Sequence, residues 1–323
     1  STIETIRRRW EGALPPQVVL GIGDDAAVLR PAAGRRLLVS TDLLTEGVHF
    51  DERVPPRALG RKALLVNISD IAAMGGSPRA FLSALALPPE TETRFVEELY
   101  TGFEEVSRTY HVPLVGGDLS ASPAGISLCV TILGEARRVV ERRGAVSGDL
   151  VCVTGTLGDA ALGRRKMLEA EAGASPLREN PDLAFLWERH ISPTPRVETG
   201  ILLAEEGVAS AMIDISDGLL GDLTHILTES GVAARIFRER IPRSPAYHRL
   251  CGGDDHEALS GGEDYELLFT VPAQRQTRLD TIARRTRTSI TVIGQIEPGE
   301  GIRLVDAEGR ESRVTPVGYR HFG

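Results

Sequence analysis

Short apolar runs of strand length alternate along this chain with stretches whose apolar residues recur every three to four positions, and that alternation restricts the fold more than any other feature. Leu37 to Leu44 is a run bounded by charges, Gly60 to Met74 has helical spacing through Leu64, Ile68 and Ile71, and Phe81 to Leu87 is again strand-like. Phe95, Leu99, Phe103, Val106 and Tyr110 mark one helical stripe, with Tyr100 off it, before Val112 to Val115 and Ile126 to Leu133 return to strand. Arg137 to Gly148 is polar and basic, which places a domain boundary near residue 137. The pattern then restarts with strands at Val151 to Thr154, into Asp214, at Glu266 to Val271 and at Thr288 to Ile296. Between them helices are expected from Asp159, over Pro195 to Glu206 and over Asp217 to Ser230. Glu169 to Asp182, rich in Ala, Glu, Asn and Pro, reads as a mobile surface loop.

A chain of 323 residues can build two domains with substantial cores. Its net charge of -8 argues against a general nucleic-acid binder, which needs a basic patch to neutralise phosphates. No apolar run approaches the roughly 18 residues of a membrane-spanning helix, and Ser1-Thr2-Ile3-Glu4 does not open a signal peptide, so a cytoplasmic protein is expected. Cys129, Cys152 and Cys251 lack the paired spacing of a zinc site, and the first two lie in apolar strand-like runs.

The chemistry is carried by acidic motifs scattered along the chain. They are Gly23-Asp24-Asp25, Ser40-Thr41-Asp42, Asn67-Ile68-Ser69-Asp70, Gly116-Gly117-Asp118, Asp214-Ile215-Ser216-Asp217 and Gly261-Gly262-Glu263-Asp264. Each has an ordinary reading: a turn for the glycine strings, a strand end for Ser40-Thr41-Asp42, a helix cap for Ser216 or Asp217, a solvated loop for Glu263. Convergence in space gives the other reading, because clustered carboxylates repel unless divalent cations lie between them, and hard oxygens are what magnesium takes while bridging to phosphates. Asp70 is the sharpest case: it sits in an otherwise apolar helix, where a lone carboxylate is costly to bury. Lys62 and Arg61 are too far back along that helix to pair with it locally. Asp214 is left unexplained by capping, and the helix beginning at Asp217 offers an N-terminal dipole to phosphate. No Gly-x-x-x-x-Gly-Lys-Ser/Thr string, kinase glycine loop or nucleophile elbow occurs, so any phosphate chemistry is not of the P-loop kind.

In order and spacing, the strings Gly21-Ile22-Gly23-Asp24-Asp25, Ser40-Thr41-Asp42, Asn67 to Gly75, Val115-Gly116-Gly117-Asp118, Asp214 to Leu219, Ser260 to Leu267 and Gly318-Tyr319 resemble the thiamine-monophosphate kinases of the aminoimidazole ribonucleotide synthetase-like superfamily. The resemblance implies an α/β plus α+β two-domain fold, with residues 1–137 forming an N-terminal domain that binds ATP and metal and pairs through its sheet in a homodimer. Residues 138–323 would complete the active site. It implies ATP-dependent phosphorylation of thiamine monophosphate to thiamine diphosphate, with several Mg2+ ions and no covalent phosphoenzyme. Carried over by motif, Asp25, Ser40, Thr41, Asp42, Asp70, Asp118, Asp214 and Asp217 would hold metal, with Asp70, Asp118 and Asp217 central to catalysis. Tyr100, Gly117, Asp118, Arg142 and Ser216 would contact ATP, Arg143 being an alternative to Arg142. His49, Glu263 and Tyr319 would meet the thiamine moiety. Of the alternatives, sister synthetases with a reactive N-terminal cysteine or a cysteine-bearing tail are disfavoured, because no Cys precedes Cys129 and the chain ends Tyr319-Arg320-His321-Phe322-Gly323, and a non-catalytic nucleotide-binding regulator is disfavoured because no carboxylate of the set is missing.

Overall fold

The computed structural model describes residues 15–20, 28–170 and 176–314. They form two compact units: the described residues through Ile71 with Gly76–Arg138, and Ala72–Gly75 with the described residues from Val139 onward.

The first unit carries strands β1 (Val18–Leu20), β2 (Val28–Leu29), β3 (Arg36–Thr45), β4 (Ser77–Leu87), β5 (Leu114–Ala121) and β6 (Ser127–Ala136). Helix α1 (Pro56–Ala73) precedes β4 and helix α2 (Thr93–Tyr110) follows it. β1 and β2 pair as a small ribbon, while the other four form a sheet in the order β3-β6-β4-β5, with β4 and β5 parallel and the remaining pairs antiparallel. α1 starts with proline at its first turn, where a missing N–H costs nothing. Its Leu64, Ile68 and Ile71 are buried as the spacing predicts. α1 and α2 meet backbone to backbone: a Cβ at Gly60 would lie 2.0 Å from the Leu99 carbonyl oxygen, and one at Gly102 2.0 Å from that of Arg57.

Three local expectations change. Ser40-Thr41-Asp42 lies in the middle of the ten-residue β3 and does not end it. Gly116-Gly117-Asp118 lies inside β5 and is no strand-end turn, because a Cβ at Gly117 would fall 2.1 Å from the Ser83 carbonyl oxygen of β4. Glycine here permits close strand approach, the use it has in sheet interiors. Tyr100 joins the buried face of α2, edge-on to Phe103, since the stripe is wide enough to take Val96 and Tyr100 beside Leu99.

The second unit is built on seven strands in the order β13-β12-β9-β11-β7-β10-β8. They are β7 (Leu150–Thr154), β8 (Ala211–Asp214), β9 (Ala233–Phe237), β10 (Leu267–Val271), β11 (Ile290–Glu297), β12 (Gly301–Val305) and β13 (Glu311–Val314). Only β12 and β9 run parallel within it. Its helices are α3 (Asp159–Glu169), α4 (Pro176–Glu179), α5 (Pro181–Ile191), α6 (Val197–Glu205), α7 (Leu219–Ser230), α8 (Pro245–Leu250), α9 (His256–Ser260) and α10 (Thr277–Thr286). Strand alternation divides the core in two. Val151, Val153 and Ile213 pack with Leu162, Leu186 and Leu223 of α3, α5 and α7, whereas Cys152, Met212 and Phe269 pack with Leu203 and Ile282 of α6 and α10.

The stretch Glu169 to Asp182 is not wholly loop, for it holds α4 and the start of α5. Asn180 caps α5 by accepting the N–H groups of Asp182 and Leu183, and Pro181 fills the first helical position. Among the described residues no helix is long and apolar enough to cross a membrane.

Candidate active site

In the first unit, β3 and α1 bring Ser40, Asp42 and Asp70 together. Alternation along β3 puts Ser40 and Asp42 on one face, and the Ser40 hydroxyl donates to Asp70 Oδ2 at 2.5 Å. Burial, and then the neighbouring Asp70 carboxylate, push the Asp42 carboxyl up to about 7. Arg61, one of the cations close in sequence to Asp70, pairs instead with Glu105 at 3.4 Å. Two neighbouring carboxylates whose charges repel, one accepting from a hydroxyl, form a hard-oxygen donor set that a divalent cation relieves.

The rest of this unit sorts by register. Asp42 pairs with Val130, Val130 with Ser83 and Ser83 with Gly117, a single row across the sheet. Asp118 belongs to the alternate row, with Ala84, Cys129 and Leu43, so the sheet does not set its side chain beside Asp42. Its Oδ1 accepts the Leu119 N–H at 2.9 Å. Thr41 also faces away from Asp42: its hydroxyl donates to the Val130 carbonyl at 3.1 Å and lies 3.0 Å from Thr131 Oγ1. Thr41 can therefore offer that face only its main chain. Tyr100 is 4% exposed, and burial raises its phenol, with the nearby Ser83 opposing the shift. Little of its ring is left for a nucleotide base. His49 Nδ1 accepts the Thr45 N–H at 3.0 Å, which leaves the neutral ring its proton on Nε2 as a donor.

In the second unit two of the acidic motifs are joined by main chain. β8 and β10 pair through Asp214 and Leu267, and their hydrogen bonding continues past the strand ends. Ile215 donates to the Glu266 carbonyl, Tyr265 to that of Ile215 and Glu263 to that of Ser216, each at 2.8 Å. A Cβ at Gly262 would sit 2.3 Å from the Ser216 oxygen, so only glycine allows the approach. Glu263 and Tyr265 hold φ of 70° and 51°, left-handed conformations that cost non-glycine residues energy and persist only where the surroundings fix them. Ser216 and Glu263 are thus neighbours, and Asp217 follows, just ahead of Gly218, the residue that caps α7. Arg142 and Arg143 are both exposed ahead of β7, next to Glu141, whose carbonyl accepts the Met212 N–H of β8.

Asp222 and His190, which the sequence did not single out, support these loops, as does Asp264 of the last acidic motif. Asp222, buried on α7, accepts three loop amides and is pushed up to about 7 by burial and by Asp217, against those same hydrogen bonds. Buried His190 of α5 places Nδ1 2.9 Å from Glu263 Oε2, with Trp187 packed on its ring at 5.0 Å. Asp264 accepts the Gly158 N–H at 2.7 Å at the start of α3. Complete burial pushes its carboxyl up to about 8 despite that bond and the nearby Arg189.

Asp264 gives a pH dependence with a definite sign. Between its ordinary value of 3.8 and about 8 the folded protein binds a proton that the unfolded chain releases. This contribution to stability is therefore complete below the lower value and lost as pH rises through the upper one, at a slope of up to about 1.4 kcal/mol per pH unit. Asp264→Asn keeps an acceptor for Gly158 and removes the slope. In urea unfolding at pH 6 and pH 8 the parent should lose more stability than the variant, and equal losses would contradict the assignment.

Asp25 and Tyr319 lie outside the described residues. Among the described residues Asp217, Asp222 and His225 bring two carboxylates and one ring nitrogen within 4.8 Å of one another. This is chemistry suited to Mg2+ and unsuited to a thiolate metal site.

The profile of the AIR synthase related protein N-terminal domain matches residues 23–136, and that of the C-terminal domain matches residues 146–307. The thiamine-monophosphate kinase of Aquifex aeolicus is 39% identical over 93% of this chain and 92% of its own length. A crystal structure of the Stenotrophomonas maltophilia thiamine-monophosphate kinase superposes with TM-score 0.85 at 38% identity, covering 96% of both chains. AaThiL complexed with AMPPCP and TMP superposes with TM-score 0.80 at 36% identity, covering 99% of this chain and 96% of that one. With both domain profiles matched and relatives of this similarity along nearly its whole length, the chain belongs to the thiamine-monophosphate kinase family of AIR synthase related proteins.

Proposed function

We propose that this enzyme transfers the γ-phosphoryl group of ATP directly to the phosphate of thiamine monophosphate, giving thiamine diphosphate and ADP. The observation that carries the reading is the main-chain coupling of the Ser216-Asp217 and Gly262-Glu263 loops, which makes Ser216, proposed for the nucleotide, a neighbour of Glu263, proposed for the acceptor. Phosphoryl transfer of this kind asks for positioning and charge neutralisation more than covalent chemistry.

Asp25, Asp42, Asp70, Asp118, Asp214 and Asp217 would hold several Mg2+ ions, with Thr41 contributing through its main chain and Ser40 steadying Asp70. Bound Mg2+ supplies neutralisation of the charge on the phosphate oxygens. Asp70, Asp118 and Asp217 are assigned the central catalytic roles. Gly117, Asp118, Ser216 and Arg142 or Arg143 orient ATP, Tyr100 offering at most an edge, and the start of α7 directs its dipole at phosphate. Glu263 accepts from the thiamine moiety, His49 donates from Nε2 and Tyr319 stacks on the cationic ring. Residues 1–137 act as the nucleotide and metal domain and residues 138–323 complete the site, in the cytoplasm. The outward stripe of β3, with Leu37, Val39 and Leu43 at least half exposed, supports pairing of this sheet with a second copy in a homodimer.

ADP release measured with ATP, Mg2+ and, in turn, thiamine monophosphate, thiamine or an aminoimidazole precursor tests this. Release should require the monophosphate and yield thiamine diphosphate. Release without it, or release driven by the aminoimidazole compound, would refute the assignment.

A further inference from the structure

We propose that Asp222 is a positioning residue for the metal-binding loop, an inference that rests on the proposed function for what Ser216 and Asp217 bind. Its Oδ2 accepts the N–H groups of Ser216, Asp217 and Gly218 at 3.0, 3.0 and 3.1 Å. Asp222 is 1% exposed and stands on the first turn of α7, where its own N–H bonds to the Gly218 carbonyl. Capping side chains usually reach forward from the residue ahead of a helix, whereas this one reaches back from inside and gathers three successive amides. Gly218 at φ 109° turns the chain so that those amides converge. The Ser216 carbonyl is meanwhile taken by Glu263, so the loop is held from both sides. With Oδ2 occupied by amides, what Asp222 supplies is geometry: it fixes the backbone from which the Asp217 carboxylate projects.

Equilibrium binding of Mn2+ to the full chain without nucleotide tests this, with Asp217→Asn defining the share of binding that belongs to the loop. Asp222→Ala, which removes the acceptor, should raise the half-saturating Mn2+ concentration of that share at least about tenfold. Asp222→Asn, which keeps an oxygen for the amides, should stay within about threefold of the parent. A purely helix-stabilising role would lower the melting temperature of Asp222→Ala and leave Mn2+ binding by the folded protein unchanged, which would overturn the proposal. So would equal weakening in both variants, or parent-like Mn2+ binding in Asp217→Asn. Should Asp222→Ala not fold, Asp222→Glu, which shifts the carboxylate by a methylene, takes its place with the same outcomes. Turnover of thiamine monophosphate by the parent is measured separately. A parent that does not turn it over counts against the proposed function, while the Mn2+ comparison still decides the role of Asp222.

Discussion

Asp70→Asn should lower turnover of thiamine monophosphate on the order of 10²–10³-fold, the scale seen when one group that stabilises transition-state charge is removed, while the metal-free protein melts no lower than the parent. The two effects have one cause. Asp42 and Asp70 repel each other, and Ser40 satisfies one oxygen of Asp70 without removing the charge. Asparagine keeps an acceptor for the Ser40 hydroxyl and ends the repulsion, so the fold gains what metal binding loses. Ser40→Ala gives the scale for a lesser perturbation. It deletes one hydrogen bond to a charged acceptor, worth about 1.5–3 kcal/mol, and should cost at most about ten- to hundredfold. Coupled ADP-release kinetics at saturating Mg2+, with thermal melts of the metal-free proteins, check both. Turnover of Asp70→Asn within tenfold of the parent would remove Asp70 from the metal site.

Asp70 was legible in the sequence because one physical rule suffices: a carboxylate in an apolar helix needs a reason. The same rule applied to α7 would have found Asp222, three residues after Leu219 and four before Ile226 on the buried side of that helix. Asp217 and Ser216 drew attention as capping residues, and the capping acceptor lay further along. Gly117 read as a turn glycine because close strand approach makes the same demand, and its strand partner Ser83 is distant in sequence. α5 carried its own start signal in Asn180-Pro181, hidden by the low-complexity stretch before it. His190 left no local trace, because its partner Glu263 comes from another element. Residues whose role rests on a single local cost could be read from the chain, whereas those whose role is a long-range contact needed the fold.

Glu266→Gln should destabilise the second unit by about 3–5 kcal/mol, the cost of removing one partner from a buried ion pair and leaving the other. Glu266 is fully buried at the base of the Glu263 loop, immediately ahead of β10. Its Oε1 accepts from Arg189 at 2.8 Å and from Arg196 at 2.5 Å, and its Oε2 accepts from Arg196 at 2.6 Å and from Thr154 at 2.6 Å. Glutamine preserves volume and one oxygen, yet leaves both guanidiniums without the carboxylate they face. Thr154→Val is the control for hydrogen bonding alone. It removes the hydroxyl that donates to Glu266 and accepts the Leu267 N–H at 2.8 Å, and it should cost less, about 1–3 kcal/mol. Urea unfolding with an unchanged m-value reads both, since m reports the surface exposed and not the charge removed. A loss below about 1 kcal/mol for Glu266→Gln would mean that the arginines are solvated well enough to do without it. The larger loss would place this charge cluster among the main supports of the Asp214 and Glu263 loops, because the Glu266 carbonyl accepts the Ile215 N–H and so ties both segments to one anchored strand end.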